Sequence, residues 1–194
     1  MRYSFTTIMA LFLSVMAIAQ TSSGSWNAKT ATYTNAKYGI TWTLIEELEW
    51  VGRPILTDDT LLKVRNDDTH ILVTLAIGQD EVKEGDPWDY VAEYESPQMI
   101  QLKKLQAAQK GMSFIETKAV KSQLCGYHAI KIRTDMKKYY PEYEQTVHSI
   151  EIMYQLLRNG RMHTITVTAL SVLEEEIDVF DRLAIQLFNG FKVK

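Results

Sequence analysis

The chain has 194 residues, 46% of them hydrophobic, with one cysteine and a formal net charge of −3, which is material for one domain with its own core. Its lysines and arginines are interspersed with acids instead of gathered into a basic face, which excludes a nucleic-acid backbone as partner. The single cysteine, Cys125, excludes an internal disulfide, so packing alone must hold the fold.

Residues 1–19 carry one positive charge at Arg2, then an uncharged apolar run from Ile8 that ends in the small-x-small triplet Ala17-Ile18-Ala19. This is the layout of a secretory signal, with cleavage expected after Ala19 and Gln20 as the new N-terminus. The run is shorter than the about 20 apolar residues that an anchor needs, and no cysteine stands at the cleavage point to take a lipid. The mature chain is therefore expected to be exported, to the periplasm or the extracellular space, as a free domain with no membrane span. Residues 20–30, rich in Ser, Thr, Gly and Asn, read as a flexible leader. Residues 31–194 read as one domain.

Segments 31–33 and 39–44 alternate in polarity around Asn35-Ala36-Lys37 and predict two strands. Segments 61–65 and 70–77 flank the polar turn Asn66-Asp67-Asp68 and predict a hairpin. The second of these, apolar on both faces, predicts a strand covered on both sides. Asp86-Pro87 and Ser96-Pro97 are two successive helix starts, each a cap acceptor followed by proline at the first helical position. Trp88, Val91, Ala92 and Tyr94 form the apolar face of the first helix. Ile100, Leu105, Ala107 and Ala108 form that of the second, which stops at Gly111.

Segments 114–124 and 127–137 predict strands on either side of Cys125-Gly126, the second alternating His128, Ile130 and Ile132 against Lys131, Arg133 and Asp135. Asn159-Gly160 supplies the positive dihedrals of a type I′ turn between 147–158 and 161–170. That register sets Leu156 opposite His163, Tyr154 opposite Ile165, Ile152 opposite Val167, Ile150 opposite Ala169 and His148 opposite Ser171. Glu174-Glu175-Glu176 suits a helix N-terminus, and Ile177, Phe180, Leu183, Ala184, Leu187 and Phe188 follow at helical spacing to Gly190. A short strand at 191–193 closes the chain. Roughly six to eight mostly antiparallel strands with two main helices set between groups of them make an α+β domain.

Three stretches carry a resemblance: Tyr33-Thr34-Asn35-Ala36-Lys37-Tyr38-Gly39-Ile40-Thr41-Trp42, Gly126-Tyr127-His128-Ala129-Ile130-Lys131, and Phe188-Asn189-Gly190-Phe191 after a helix. Together they resemble the PsbP-like family, small exported bacterial α+β domains that share the fold of the extrinsic photosystem subunit. The proline-then-tryptophan usual in that family is replaced by Glu46-Glu47-Leu48-Glu49-Trp50, without the proline. The resemblance implies a PsbP-like fold, and such folds host binding and assembly roles more often than catalysis; fold by itself assigns no function.

No catalytic pattern stands out. The histidines His70, His128, His148 and His163 form none of the spacings of a metal motif, and a site could arise from His128, His148 and His163 only if three strands converged. Cys125 precedes a turn glycine and has no adjacent cation to lower its pKa. Asp58-Asp59, Asp67-Asp68 and Glu174 to Glu176 fit turn and helix-start chemistry. The loop Tyr139-Tyr140-Pro141-Glu142-Tyr143 offers rigid amphipathic rings suited to recognition, with Trp50 as a second aromatic candidate. The expectation is a non-enzymatic binding or assembly domain, without a cofactor, that engages a protein or envelope component through Tyr139, Tyr140, Tyr143 and Trp50. The alternative is a small metal-binding protein or enzyme built from the dispersed histidines.

Overall fold

The computed structural model describes residues 24–53, 60–78 and 85–194; the signal segment, Asp58-Asp59 and most of residues 20–24 lie outside them. Among the described residues there are eleven strands in two antiparallel sheets. The smaller sheet has the order β1-β2-β3-β11, from Ser25–Asn27, Thr32–Asn35, Ile40–Thr43 and Phe191–Val193. The larger has the order β4-β5-β6-β10-β9-β8-β7. Its strands are β4 (Val51–Arg53), β5 (Thr60–Asn66), β6 (Ile71–Ile77), β7 (Ser113–Leu124), β8 (Tyr127–Tyr140), β9 (Gln145–Arg158) and β10 (Arg161–Leu173). The α+β class stands; the strand count rises because β1 and β4 are three-residue strands with too few positions to show alternation. The first of them, Ser25–Asn27, lies in the segment read as a leader and pairs with Thr32 to Thr34.

Helix α1 spans Pro97–Gln109 and α2 spans Ile177–Asn189. The α2 sequence places Phe180, Ala184, Leu187 and Phe188 inward at helical spacing. They join the main core with Tyr33 and Trp42 of the small sheet and with Val73, Leu75, Ile152, Ile165 and Val167 of the large one. Helix α2 and the small sheet thus cover one face of the large sheet. The Trp42 indole donates to the Leu187 carbonyl at 2.8 Å and its ring meets Phe191 edge-on, which locks the small sheet to the helix.

The other face is covered over β7 to β9 by a 3-10 helix, Pro87–Glu95, followed by α1. The first predicted helix is therefore 3-10, and the spacing of its contacts gives the reason. Trp88, Val91 and Tyr94 recur every third residue, the period of a 3-10 helix; Val91 and Tyr94, with Met153, pack on Ala119, Ile130 and Ile132, whereas Ala92 is exposed. Helix α1 turns Ala107 inward and leaves Leu102 and Leu105 exposed, so its apolar side differs from the predicted one. β6 alternates between buried and half-buried residues, so only one of its faces is fully enclosed.

The Asn159-Gly160 turn has both residues at positive φ, 52° and 68°, and the register follows from it. Leu156–His163, Tyr154–Ile165, Ile152–Val167 and Ile150–Ala169 are paired as predicted. Beyond Ala169 a β-bulge shifts the ladder, so His148 pairs with Val172 and not with Ser171. Two residues of β10, Leu170 and Ser171, oppose one of β9 there, an irregularity that turn chemistry does not encode.

Candidate functional site

Three loops gather at one end of the large sheet: the β5–β6 turn, the β8–β9 turn and the corner from β10 into α2. The β8–β9 hairpin reaches farthest. Its ladder runs to Tyr140–Gln145, whereas β7 begins pairing with β8 at Ser113–Lys137 and β10 ends against β9 at Leu173–Val147. Lys138 to Thr146 therefore project past the neighbouring strands. The tip is closed by Tyr143 N–H donating to the Tyr140 carbonyl at 3.2 Å and Glu144 N–H to the Pro141 carbonyl at 3.3 Å.

Tyr139 is 56% exposed and Tyr143 72% exposed, so neither ring shields the sheet. Tyr140 is half-buried, with the Lys138 ammonium 4.4 Å from its ring centroid. Successive residues of a strand point to opposite faces, so Tyr139 and Tyr140 cannot form one surface. Trp50 is not brought to the tyrosines. It precedes β4, at the opposite edge of the sheet from β7 and β8, where its indole donates to the Ile45 carbonyl at 2.8 Å and packs against the main core. Among the aromatic candidates, Tyr139 and Tyr143 are the ones that solvent reaches freely.

Beside the hairpin lies a cleft of about 510 Å³ lined by Asp68, His70, Ile71, Ser171, Val172, Glu176, Phe180 and Leu183, with Thr69, Leu173 and Val179 completing it. It exists because β6 and β10 part there. Leu170 N–H donates to the His70 carbonyl at 2.9 Å, His70 turns away at a φ of 53°, and the bulge sends the other chain into α2. These residues come from segments about a hundred positions apart, so no motif in the sequence announces the cleft.

The histidines do not converge. His128 lies near the Cys125-Gly126 turn, its Nδ1 2.7 Å from Asp86 Oδ2 and its ring stacked on Trp88 at 3.5 Å and 9°. The Trp88 indole N–H is shared between the Ser122 and Ala129 carbonyls, and the Lys121 ammonium lies 5.5 Å from its ring. The Trp88 backbone N–H, followed by His128 and Lys121, holds the Asp86 carboxyl below its ordinary range. This grouping ties the start of the 3-10 helix to β8, and residues 42 apart in the sequence gave no sign of it. His148 pairs with Val172 at the other end of the sheet. His163 is buried in the main face, where its Nδ1 lies 3.1 Å from the Arg161 carbonyl and its ring meets Tyr38 edge-on. Among the described residues no group of three or more His, Cys, Asp or Glu could hold a metal ion.

Cys125 is exposed as a residue, at a φ of 56°, but turns its thiol inward to donate to the Phe191 carbonyl; desolvation of the sulfur there raises its pKa, against thiolate chemistry. Asp67 pairs with Arg65 at 2.8 Å, and Glu176 accepts the Leu173 N–H at 3.1 Å, the turn and helix-start roles expected of them. No helix among the described residues is long and apolar enough to cross a membrane.

No family model matches the chain, and no curated protein does. Solved structures do. The chain is similar to cyanobacterial PsbP from Synechocystis sp. PCC 6803, at 13% identity over 89% of this chain and 94% of that one, with a TM-score of 0.46. It is similar to LpqN, a protein involved in cell envelope biogenesis of Mycobacterium tuberculosis, at 9% identity over 80% and 83% of the two chains, with a TM-score of 0.44. The likeness is one of fold alone.

Proposed function

We propose that this chain is an exported, non-enzymatic binding domain whose partner, a protein or another envelope component, is gripped at the projecting β8–β9 tip. The observation that carries the reading is the exposure of Tyr139 and Tyr143 on a hairpin that outruns its neighbours. Tyrosine gives large contact area at low conformational cost because it has only two side-chain torsions. Exposed rings on a rigid two-stranded support lose little entropy when they are covered. Export rests on the signal layout of residues 1–19.

The test is cross-linking in the native host, with wild type compared to a Tyr139→Ala/Tyr143→Ala double variant. The variant should lose the cross-linked partner while its melting temperature stays within about 2 °C, since neither ring is part of the core. Undiminished recovery from a folded variant would remove the tip from the reading. N-terminal sequencing of the mature protein should begin at Gln20, and an intact Met1 would remove cleavage and with it the free, untethered form.

A further inference from the structure

The cleft between the β5–β6 turn and α2 combines two unlike surfaces. Its inner wall is Ile71, Val172 and Phe180, all buried, with half-buried Leu183. Its mouth is formed by exposed Asp68, His70, Ser171 and Glu176, and neither lysine nor arginine lines it. The neighbouring Arg65 is engaged by Asp67. The N-terminus of α2, which would favour an anion, already has Glu174, Glu175, Glu176 and Asp178 in and just before its first turn. The mouth therefore sets the Asp68 carboxylate, and that of Glu176 with one oxygen on the Leu173 N–H, over a hydrocarbon floor, with His70 the one titratable base among the lining residues.

We propose that this cleft binds an amphipathic cation, an aliphatic chain ending in an ammonium group. The chain would lie on Ile71, Val172, Phe180 and Leu183 and exchange water for apolar contact. The ammonium would meet Asp68 and Glu176 at the exposed rim, where each charge contact adds modestly to the apolar one. A carboxylate of the same length would set like charges together, and a neutral alcohol would gain only the apolar part. A volume of about 510 Å³ falls within the range of roughly 300–1,000 Å³ typical of small-ligand sites. The site is separate from the hairpin tip and does not depend on the tip's role.

The test is a titration of the ¹⁵N-labelled protein with n-octylammonium, n-octanoate and octan-1-ol, following backbone amides by NMR. Octylammonium should give saturable shifts centred on residues 68–71 and 171–176, with a dissociation constant near or below about 1 mM. Octanoate should give none there, and octanol should bind more weakly than the amine. Asp68→Asn/Glu176→Gln should weaken the amine about fivefold, as expected for two exposed charge contacts. Glutamine keeps an acceptor for the Leu173 N–H, so the helix start survives. Val179→Trp, at a lining position that is 54% exposed, should block the cleft without touching the core. Octanoate binding as tightly as the amine, a double variant with unchanged affinity, or no saturable shift up to about 10 mM would each overturn the proposal.

Discussion

His163 is 1% exposed, yet its Nε2 has no hydrogen-bond partner among the described residues. Burial lowers its pKa from the ordinary 6.5, chiefly by desolvation, with Arg158 adding to it and the Arg161 carbonyl opposing it. In the unfolded chain the ring takes up a proton near that ordinary value, whereas the folded chain resists until lower pH. The unfolded state then binds more protons, so stability is full above the ordinary pKa and declines as pH falls through the folded one. The melting temperature of wild type should therefore drop relative to a His163→Leu variant as pH is lowered below about 6.5. At neutral pH the leucine should be tolerated, because it removes an unpaired buried nitrogen, whose burial costs about 1–3 kcal/mol. A difference between the two proteins that does not change with pH would refute the assignment. The sequence showed His163 in phase with apolar neighbours; that its second nitrogen lacks a partner depends on the three-dimensional surroundings of one ring.

At the scale of elements, Arg133 joins strand to helix. Its guanidinium bridges Asp135 on its own strand at 3.0 Å and Asp181 on α2 at 2.6 and 2.8 Å, and the two carboxylates raise its pKa against desolvation. Asp181→Ala should cost about 1–2 kcal/mol in denaturant unfolding, more than an exposed ion pair, because the arginine is partly enclosed and held on two sides. Gly190 matters for space and not for dihedral freedom. Its φ is −76°, but an added Cβ would strike the Thr43 carbonyl, in the strand whose Thr43 N–H donates to Gly190 O at 3.1 Å. Gly190→Ala should destabilise by about 1–3 kcal/mol as the small sheet is pushed off α2; an unchanged midpoint would show that the corner yields freely.

Elements of this kind were legible wherever period and turn chemistry agreed. The Asn159-Gly160 hairpin and α2 are the examples, each with a long periodic pattern and a defined stop. Asp86-Pro87 marks the start of the first helix, but three apolar residues at a spacing of three fit an α-helix and a 3-10 helix alike until their contacts are known. The bulge at Leu170-Ser171 was invisible because it answers to the corner it must turn, and the cleft went unseen with it.

For the whole molecule, the two sheets share one main core through α2 and β11, so heat should unfold both in a single step. Tryptophan fluorescence and far-ultraviolet circular dichroism should report the same midpoint, and separated midpoints would show that the small sheet melts alone. The tyrosine tip was readable as an aromatic loop, but its projection was not, because it depends on where β7 and β10 stop alongside β8 and β9.

The C-terminal end of the described chain lies near the pole opposite that tip, and its N-terminal strand forms the other edge of the small sheet. Ser25 shares the Thr34–Thr41–Lys192 level of the small sheet. Lys194 O accepts from Arg158 beside the Asn159-Gly160 turn. Fourteen residues of β9, at about 3.4 Å each, set tip and turn about 45 Å apart. A support attached through Lys194 would hold the molecule like a post by its base, with Tyr139 and Tyr143 standing clear of it.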